Sequence, residues 1–467
     1  MGLLRLFLAL SVIAGHAGST VFGVNGIGAL YAVNFFFIIS GFYMAMVLNG
    51  KYSKIGNIQF YKSRVFRLFP AYYVGLVLML LVYFDVVKGF FLSLTPISKM
   101  IYIFENAFIV GQDVSYVLCV KDISGLCVNP GSMSINPPAW SLAVELGFYL
   151  IAPFILRSKA KTFAFVFAGA VYLYLVNLIE FPFSGAGLVS RANFWTFGYY
   201  FYPSSFAFFG GGALAYHLSK SEVEPHYFLS LAALVLLSFA QTAMPFWHLL
   251  FFSMAVPALF RYTANNKLDR VIGELSYPVY IVHYPVLILL KKLSGDGVLL
   301  PYQLSLGTVV AISSIAIGLC VYYLIERKVS TFRHSEEFLD SAGLKSFSLA
   351  FYIPRIAFLV YLVIPVVVMA YVLWAQYSSK LPSQTPYDLT DDNWQGGINR
   401  SVAAFFVKSS AANAEVFRVG AKVSVGESGI RQIVRVVGVA PYMNIFVDGD
   451  LLDPKRSGYP NKITIIE

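Results

Sequence analysis

Leu3-Leu-Arg5-Leu-Phe-Leu-Ala-Leu-Ser-Val-Ile-Ala-Gly-His16-Ala-Gly-Ser-Thr-Val-Phe22 is apolar except for two ionisable side chains, Arg5 and His16, eleven residues apart. Eleven steps of ~100° and ~1.5 Å bring the chain back to nearly the same helix face about three turns on. Arg5 and His16 therefore share one stripe. Ionisable groups on a membrane helix are costly, and they are kept where something polar passes or reacts beside them.

The rest of the chain places that helix in a membrane. Of 467 residues, 58% are hydrophobic, 17% aromatic and 12% charged, unlike a soluble globular chain. Long apolar runs predict spans near 4–22, 29–48, 69–87, 139–156, 162–180, 197–217, 227–244, 246–260, 272–290, 303–325 and 351–376, eleven in all. The expected fold class is an all-α polytopic membrane protein with a small all-β domain after it.

Lys and Arg fall unevenly between the connections. With the N-terminus inside, the inner loops collect Arg64, Arg67, Arg157, Lys159, Arg261, Lys267, Arg270, Arg327 and Arg333, among others. The outer loops keep few, such as Lys88, Lys99, Lys121 and Arg191. This asymmetry predicts a cytoplasmic N-terminus and an extracytoplasmic C-terminus. The net charge of +10 thus reports topology and anionic-lipid contact rather than nucleic-acid binding. A cleaved signal peptide is the other reading of the first segment, and it would discard His16. The apolar pattern resumes within a few residues, which favours a retained span.

Cys119 and Cys127 lie in the long loop before the fourth span, where an oxidising compartment permits a disulfide. Cys320 reads as a small buried apolar residue. No Cys/His spacing suggests a metal.

After Tyr377 the composition changes to a polar linker and then to short alternating runs, Ala403 to Val407, Val416 to Val425, Gln432 to Val439, Met443 to Val447 and Lys462 to Ile466. These predict a β module with turns between strands. It holds no His or Cys, so glycan binding, positioning or partner contact suits it better than catalysis. The expected division is residues 1–335 as the membrane domain, 336–378 as a connector with the eleventh span, and 379–467 as linker and extracytoplasmic β domain.

Several membrane-part motifs carry chemistry. Arg64-Val-Phe-Arg67-Leu-Phe-Pro70 sets two guanidiniums at i, i+3 on one face, a phosphate clamp or simple inner-face anchoring. Asn34-Phe-Phe-Phe-Ile-Ile-Ser40-Gly41-Phe42 puts a small pair mid-span, suited to close helix packing. Pro137-Pro138-Ala139-Trp140-Ser141-Leu142-Ala143-Val144-Glu145 opens the fourth span, with Pro138 at a helix start and Trp140 in the aromatic belt. Glu145, about a turn deeper, needs a partner or a water-filled cavity. Ser276-Tyr277 to His283 and Leu324-Ile-Glu326-Arg327 follow.

In this order the motifs resemble the acyltransferase-3 family, integral-membrane acyltransferases that modify bacterial surface glycans and related acceptors. The resemblance covers residues 1 to about 335. It departs from the family where an acidic residue or Gln usually follows the glutamate, since Leu146 and Gly147 stand here. The resemblance implies a ten-span domain, an acyl-CoA donor, most often acetyl-CoA, and a sugar hydroxyl on a lipid-linked or polymeric glycan as acceptor. It makes His16 the base or acyl carrier, with Glu145 orienting His16 or the acceptor. Arg5, Arg64 and Arg67 would hold donor phosphates, and Trp140, Ser141 and His283 would meet the acceptor. No metal is expected, and the enzyme is placed in the bacterial inner membrane.

A reference pKa of about 6.5 lets an imidazole exchange protons at working pH. By helix rise His16 lies ~16 Å above Arg5, past the middle of a ~30 Å hydrocarbon core. A donor reaching up from inside could meet an acceptor from outside there. A transporter or flippase is the competing class, with Gly210-Gly211-Gly212 as a helix break, but no internal repeat is visible. A sensor anchored by its spans is a third reading, for which eleven spans are excessive.

Overall fold

The computed structural model describes residues 1–178, 196–220, 245–295, 304–333, 335, 363, 367–368, 398–399, 404–408, 420, 422–425, 430–439, 442–447 and 463–465. Nine of the eleven expected spans coincide with helices. They are α1 (Gly2–Ala17), α2 (Ala29–Asn49), α4 (Asn57–Ser93), α6 (Trp140–Ile155), α7 (Lys159–Leu178), α8 (Phe206–Leu218), α9 (Pro245–Thr263), α10 (Lys267–Gly295) and α11 (Leu306–Val321). The short helices α3 (Lys51–Ile55), α5 (Pro96–Phe108) and α12 (Arg327–Arg333) complete the set. Among the described residues six helices are long and apolar enough to cross a membrane. The protein is a multi-pass membrane protein. The expected span at 227–244 and nearly all of that at 351–376 lie outside the described residues, as does the linker before residue 398.

The first span is shorter than its apolar run. Gly18 adopts the left-handed conformation (φ 64°) and its N–H bonds Ala14 O, which ends α1 one residue after Ala17. His16 thus sits in the last turn rather than mid-helix. The segment after it is tied to the start of α11: Ser305 Oγ donates to Thr20 O at 2.5 Å, Gly307 N to Ser19 Oγ at 2.8 Å, and Phe22 N to Thr308 Oγ1 at 2.8 Å. At the other end, Asp269 accepts from the backbone N–H groups of Gly2 (2.7 Å) and Leu3 (2.9 Å). A carboxylate from α10 thereby caps the orphan donors and positive dipole end of α1. With Gly2 beside Gly273 at one end and Ile13, Ala14, Leu275, Val279 and Val286 in one buried cluster, α1 and α10 run parallel in direct contact.

Helices α2 and α8 meet backbone to backbone. A Cβ on Gly41 would lie 1.9 Å from Phe209 O, and one on Gly212 would lie 1.9 Å from Ile38 O. Helix α8 runs unbroken through Gly210, Gly211 and Gly212, so the triplet is a packing seam and not a helix break.

The stretch between the third and fourth spans, read from sequence as a loop, is built around buried polar side chains. Asn106 Nδ2 donates to Met133 O (2.8 Å), Ile135 N donates to Asn106 Oδ1 (2.8 Å), and Tyr72 OH donates to Asn106 O (2.6 Å). Ser115 Oγ donates to the Glu105 carboxyl, whose other oxygen is buried without a partner among the described residues. Burial pushes the Glu105 carboxyl up to about 8 against a favourable Ser115 hydrogen bond, with Asp113 nearby adding to the rise. Its folded pKa thus exceeds its unfolded value, so the charged form costs stability. This contribution is greatest below the unfolded pKa and is lost as pH rises toward 8. Glu105→Gln is expected to flatten the fall in thermal stability between pH 5 and pH 8.5 and to raise the midpoint at the upper end. An unchanged profile would contradict this.

Cys119 and Cys127 form a disulfide, with Cα atoms 5.1 Å apart. Cys320 is exposed rather than buried, which corrects its assignment to the core. In the C-terminal part the described residues form strands β1 (Ile398–Asn399), β2 (Ala404–Lys408), β3 (Lys422–Val425), β4 (Ile430–Val439), β5 (Tyr442–Val447) and β6 (Ile463–Ile465). Neighbouring strands pair antiparallel in the order β1-β2-β5-β4-β3-β6.

Candidate active site

The parallel packing of α1 on α10 brings two histidines together. His16 Nδ1 lies 2.8 Å from His283 Nε2, with the rings near parallel (17°) and their centroids 5.1 Å apart. His283 is fully buried, and its Nδ1 lies 2.5 Å from Tyr280 O. A carbonyl can only accept, so His283 Nδ1 carries the proton. In a neutral ring Nε2 is then the acceptor. His16 must donate from Nδ1, which leaves the lone pair of His16 on Nε2. The pair thus presents one imidazole nitrogen that can take a proton or attack a carbonyl carbon. Tyr284 packs edge-on against His16 with ring centroids 5.6 Å apart and limits its swing.

Toward the end of the bundle that holds Met1, a cavity of about 490 Å³ opens among the helices. Arg5, Arg64, Arg67, Arg270 and Arg333 all line it, against the carboxylates of Glu145, Asp269 and Glu274. Asp269 is already engaged in capping α1. Arg64 lies over the rings of Phe60 (5.6 Å) and Tyr149 (5.8 Å), which hold its plane. The Nε atoms of Arg64 and Arg333 are buried without a hydrogen-bond partner among the described residues. Buried polar atoms are normally satisfied, so these donors are aimed at something the described residues do not supply. Phosphate oxygens of an anionic ligand fit that donor set.

Glu145 faces this cavity, one side of a hydrogen-bonded knot. Its Oε1 accepts from Ser40 Oγ at 2.6 Å and from Tyr149 OH at 2.5 Å. Of the two roles expected of Glu145, orienting His16 or the acceptor, the contact with His16 is not made, and His283 holds His16. The two are separated because Glu145 sits with the Arg-lined cavity while His16 caps the far end of α1. Ser141 also lines the cavity, with its Oγ 2.9 Å from Tyr280 OH. Tyr280 therefore joins the cavity wall to the histidine pair, through its hydroxyl on one side and its carbonyl on the other. Trp140 is only 7% exposed and packs edge-on to Phe37, Tyr199 and Tyr200, so it stands in an aromatic cluster and is not among the residues that line the cavity.

Of the residues expected at the site, Arg5, Arg64, Arg67, Glu145 and Ser141 line one cavity, and His16 lies apart against His283. The sequence reading missed the partnership of His283, for which the signal was a second histidine inside a span. It also missed Arg270 and Arg333, whose inner-loop positions read as ordinary anchoring. Among the described residues no cluster of His, Cys, Asp and Glu could hold a metal ion. His217 bonds Leu156 O at 2.9 Å, near the end of α8. His226 and His334, and the side chain of His248, lie outside the described residues.

The model of the acyltransferase-3 family, described as an acyltransferase domain, matches residues 1–326. A protein of Bacillus subtilis (strain 168) that bears the name "Putative peptidoglycan O-acetyltransferase YrhL" is 26% identical over 397 residues, which cover 76% of this chain and 56% of that protein. The chain thus spans a little over half the length of that relative. No solved structure matches.

Proposed function

The chain belongs to the acyltransferase-3 family of acyltransferase domains, and from that premise we propose that it moves an acetyl group from acetyl-CoA to a sugar hydroxyl of a cell-surface or lipid-linked glycan. The observation that carries this reading is the His16–His283 pair with its free Nε2, joined through Tyr280 to a cavity lined by five arginines, two of which keep a buried Nε without a partner among the described residues. The name of the Bacillus relative points to peptidoglycan as one such glycan.

In this reading Arg5, Arg64 and Arg67 hold the donor phosphates at the cytoplasmic side. The thioester is carried toward His16 on the long pantetheine arm. His16 Nε2 takes the proton of the acceptor hydroxyl as its oxygen attacks the thioester carbonyl, and the C–S bond breaks. The imidazolium returns the proton to the departing thiolate, so ester and free thiol leave with the enzyme unchanged. His283 accepts from His16 Nδ1 throughout and steadies the positive charge through its own bond to Tyr280 O. Glu145, held by Ser40 and Tyr149, sets Tyr149 beneath Arg64 and so positions the phosphate clamp.

Residues 1–335 are the catalytic domain of this reading and residues 379–467 a glycan- or protein-contacting module on the acceptor side, after an eleventh span. The N-terminus is placed in the cytoplasm of a bacterial inner membrane. A transporter is not favoured, since the Gly210 to Gly212 stretch is a tight seam rather than a hinge.

Proteoliposomes containing the full chain test the reading. Acetyl-CoA labelled in the acetyl group, supplied at the face bearing the N-terminus, is expected to label a glycan acceptor supplied at the opposite face. Labelling only when both are on one face would overturn the proposed path. No labelling in any arrangement, with acceptors from the producing cell's own envelope, would overturn the reaction.

A further inference from the structure

Arg333 has no evident reason to be where it is. It closes α12, the short helix after the tenth expected span, and is only 7% exposed. Its Nε is buried with no hydrogen-bond partner, and no salt bridge reaches it among the described residues. A buried guanidinium normally demands several acceptors, and leaving one of its N–H groups unpaired is costly. Arg67 and Arg64 add to that cost, and the carboxylate of Glu326 offsets part of it. Glu326 is itself 7% exposed, and its Oε1 also lacks a partner, so it lies near without closing an ion pair. Arg64 adds a second buried, unpaired Nε to the same cavity wall.

Two helices distant in sequence thus bring three guanidiniums to one region of the cavity, two of them with idle buried donors. Mutual repulsion on this scale is offset by an anion of high charge density with several terminal oxygens. A phosphate monoester is a dianion with three such oxygens. A phosphodiester or one unit of a pyrophosphate carries a single charge on two. We propose that Arg333, with Arg64 and Arg67, forms a pocket specific for a terminal phosphate monoester. This rests on the acetyl-CoA reading above, in which the monoester is the 3′-phosphate of the donor nucleotide. Arg333 is then a specificity residue that selects the full coenzyme over its 3′-dephospho form. The anionic headgroup of a monoester lipid offers the same chemistry from a second source.

Direct binding separates these cases without requiring turnover. Full-length protein in nanodiscs of zwitterionic lipid is titrated calorimetrically with coenzyme A and with its 3′-dephospho form, which has no terminal phosphate monoester. Coenzyme A is expected to bind at least ~10-fold more tightly, about the worth of one charge-assisted contact. In Arg333→Gln this preference is expected to fall to within ~3-fold while affinity for the 3′-dephospho form is kept, which also certifies the fold. Arg333→Lys is expected to lie between, keeping the charge but losing the fork. A preference unchanged by Arg333→Gln, or absent from the unmodified protein, would overturn the proposal. Competition of coenzyme A by added phosphatidic acid, with no preference for the 3′-phosphate remaining, would assign the pocket to lipid and overturn the donor assignment. Failure of the acyl-transfer reading would show itself separately, as retained nucleotide discrimination without labelled product.

Discussion

Replacing His16 by alanine is expected to abolish acyl transfer, with kcat falling by about 10³-fold or more, because the nitrogen proposed to take the hydroxyl proton is removed. Donor binding is expected to be nearly unchanged, since His16 lies about three helical turns from Arg5 and does not line the Arg-rich cavity. A variant that loses donor affinity in proportion to rate would show that His16 serves the fold instead. Its partner separates the two roles further. His283→Leu strands the Nδ1 proton of His16 without an acceptor and frees the ring to change tautomer. We expect a loss of roughly 10²-fold in kcat with little change in KM. His283→Gln keeps an amide oxygen to accept from His16 and an amide N–H to reach Tyr280 O, and is expected to recover most of the rate. Equal losses in Leu and Gln variants would rule out the tautomer argument.

The second large effect is structural. Gly41→Val and Gly212→Val each place side-chain carbons where a bare Cβ already lies 1.9 Å from a carbonyl oxygen of the facing helix. No rotamer relieves a clash with backbone, so α2 and α8 must separate. The expected outcome is loss of the folded, monodisperse protein after detergent extraction, at a cost of about 3 kcal/mol or more. Gly18→Val, where nothing lies within 4 Å, would meet no clash and would suffer only from its left-handed backbone. A Gly212→Val protein as stable as the parent would mean that the seam does not hold the bundle together.

The separation of effects follows from where each residue's constraint originates. Arg5 and His16 were visible as a pair because a helix repeats every ~3.6 residues, so a shared face follows from spacing alone. The spans were visible because a membrane core needs long apolar runs, and loop charge and strand alternation are equally local patterns. The early end of α1 at Gly18 was not, because the apolar run continues past it to Phe22 and only the backbone angle stops the helix.

What the sequence determined by itself is therefore the class of the protein, the lines of most of its helices and the face of α1 that matters. Tertiary structure decided the partners. The His16–His283 contact joins residues 267 positions apart, and Ser40 meets Glu145 across 105. No local pattern encodes such a contact. It exists because Asp269 caps α1, Gly2 lies against Gly273, and two parallel helices then advance in step from Gly2 to His16 and from Asp269 to His283. That step set which imidazole nitrogen is left free, and it moved Glu145 from the histidine's side to the arginines'.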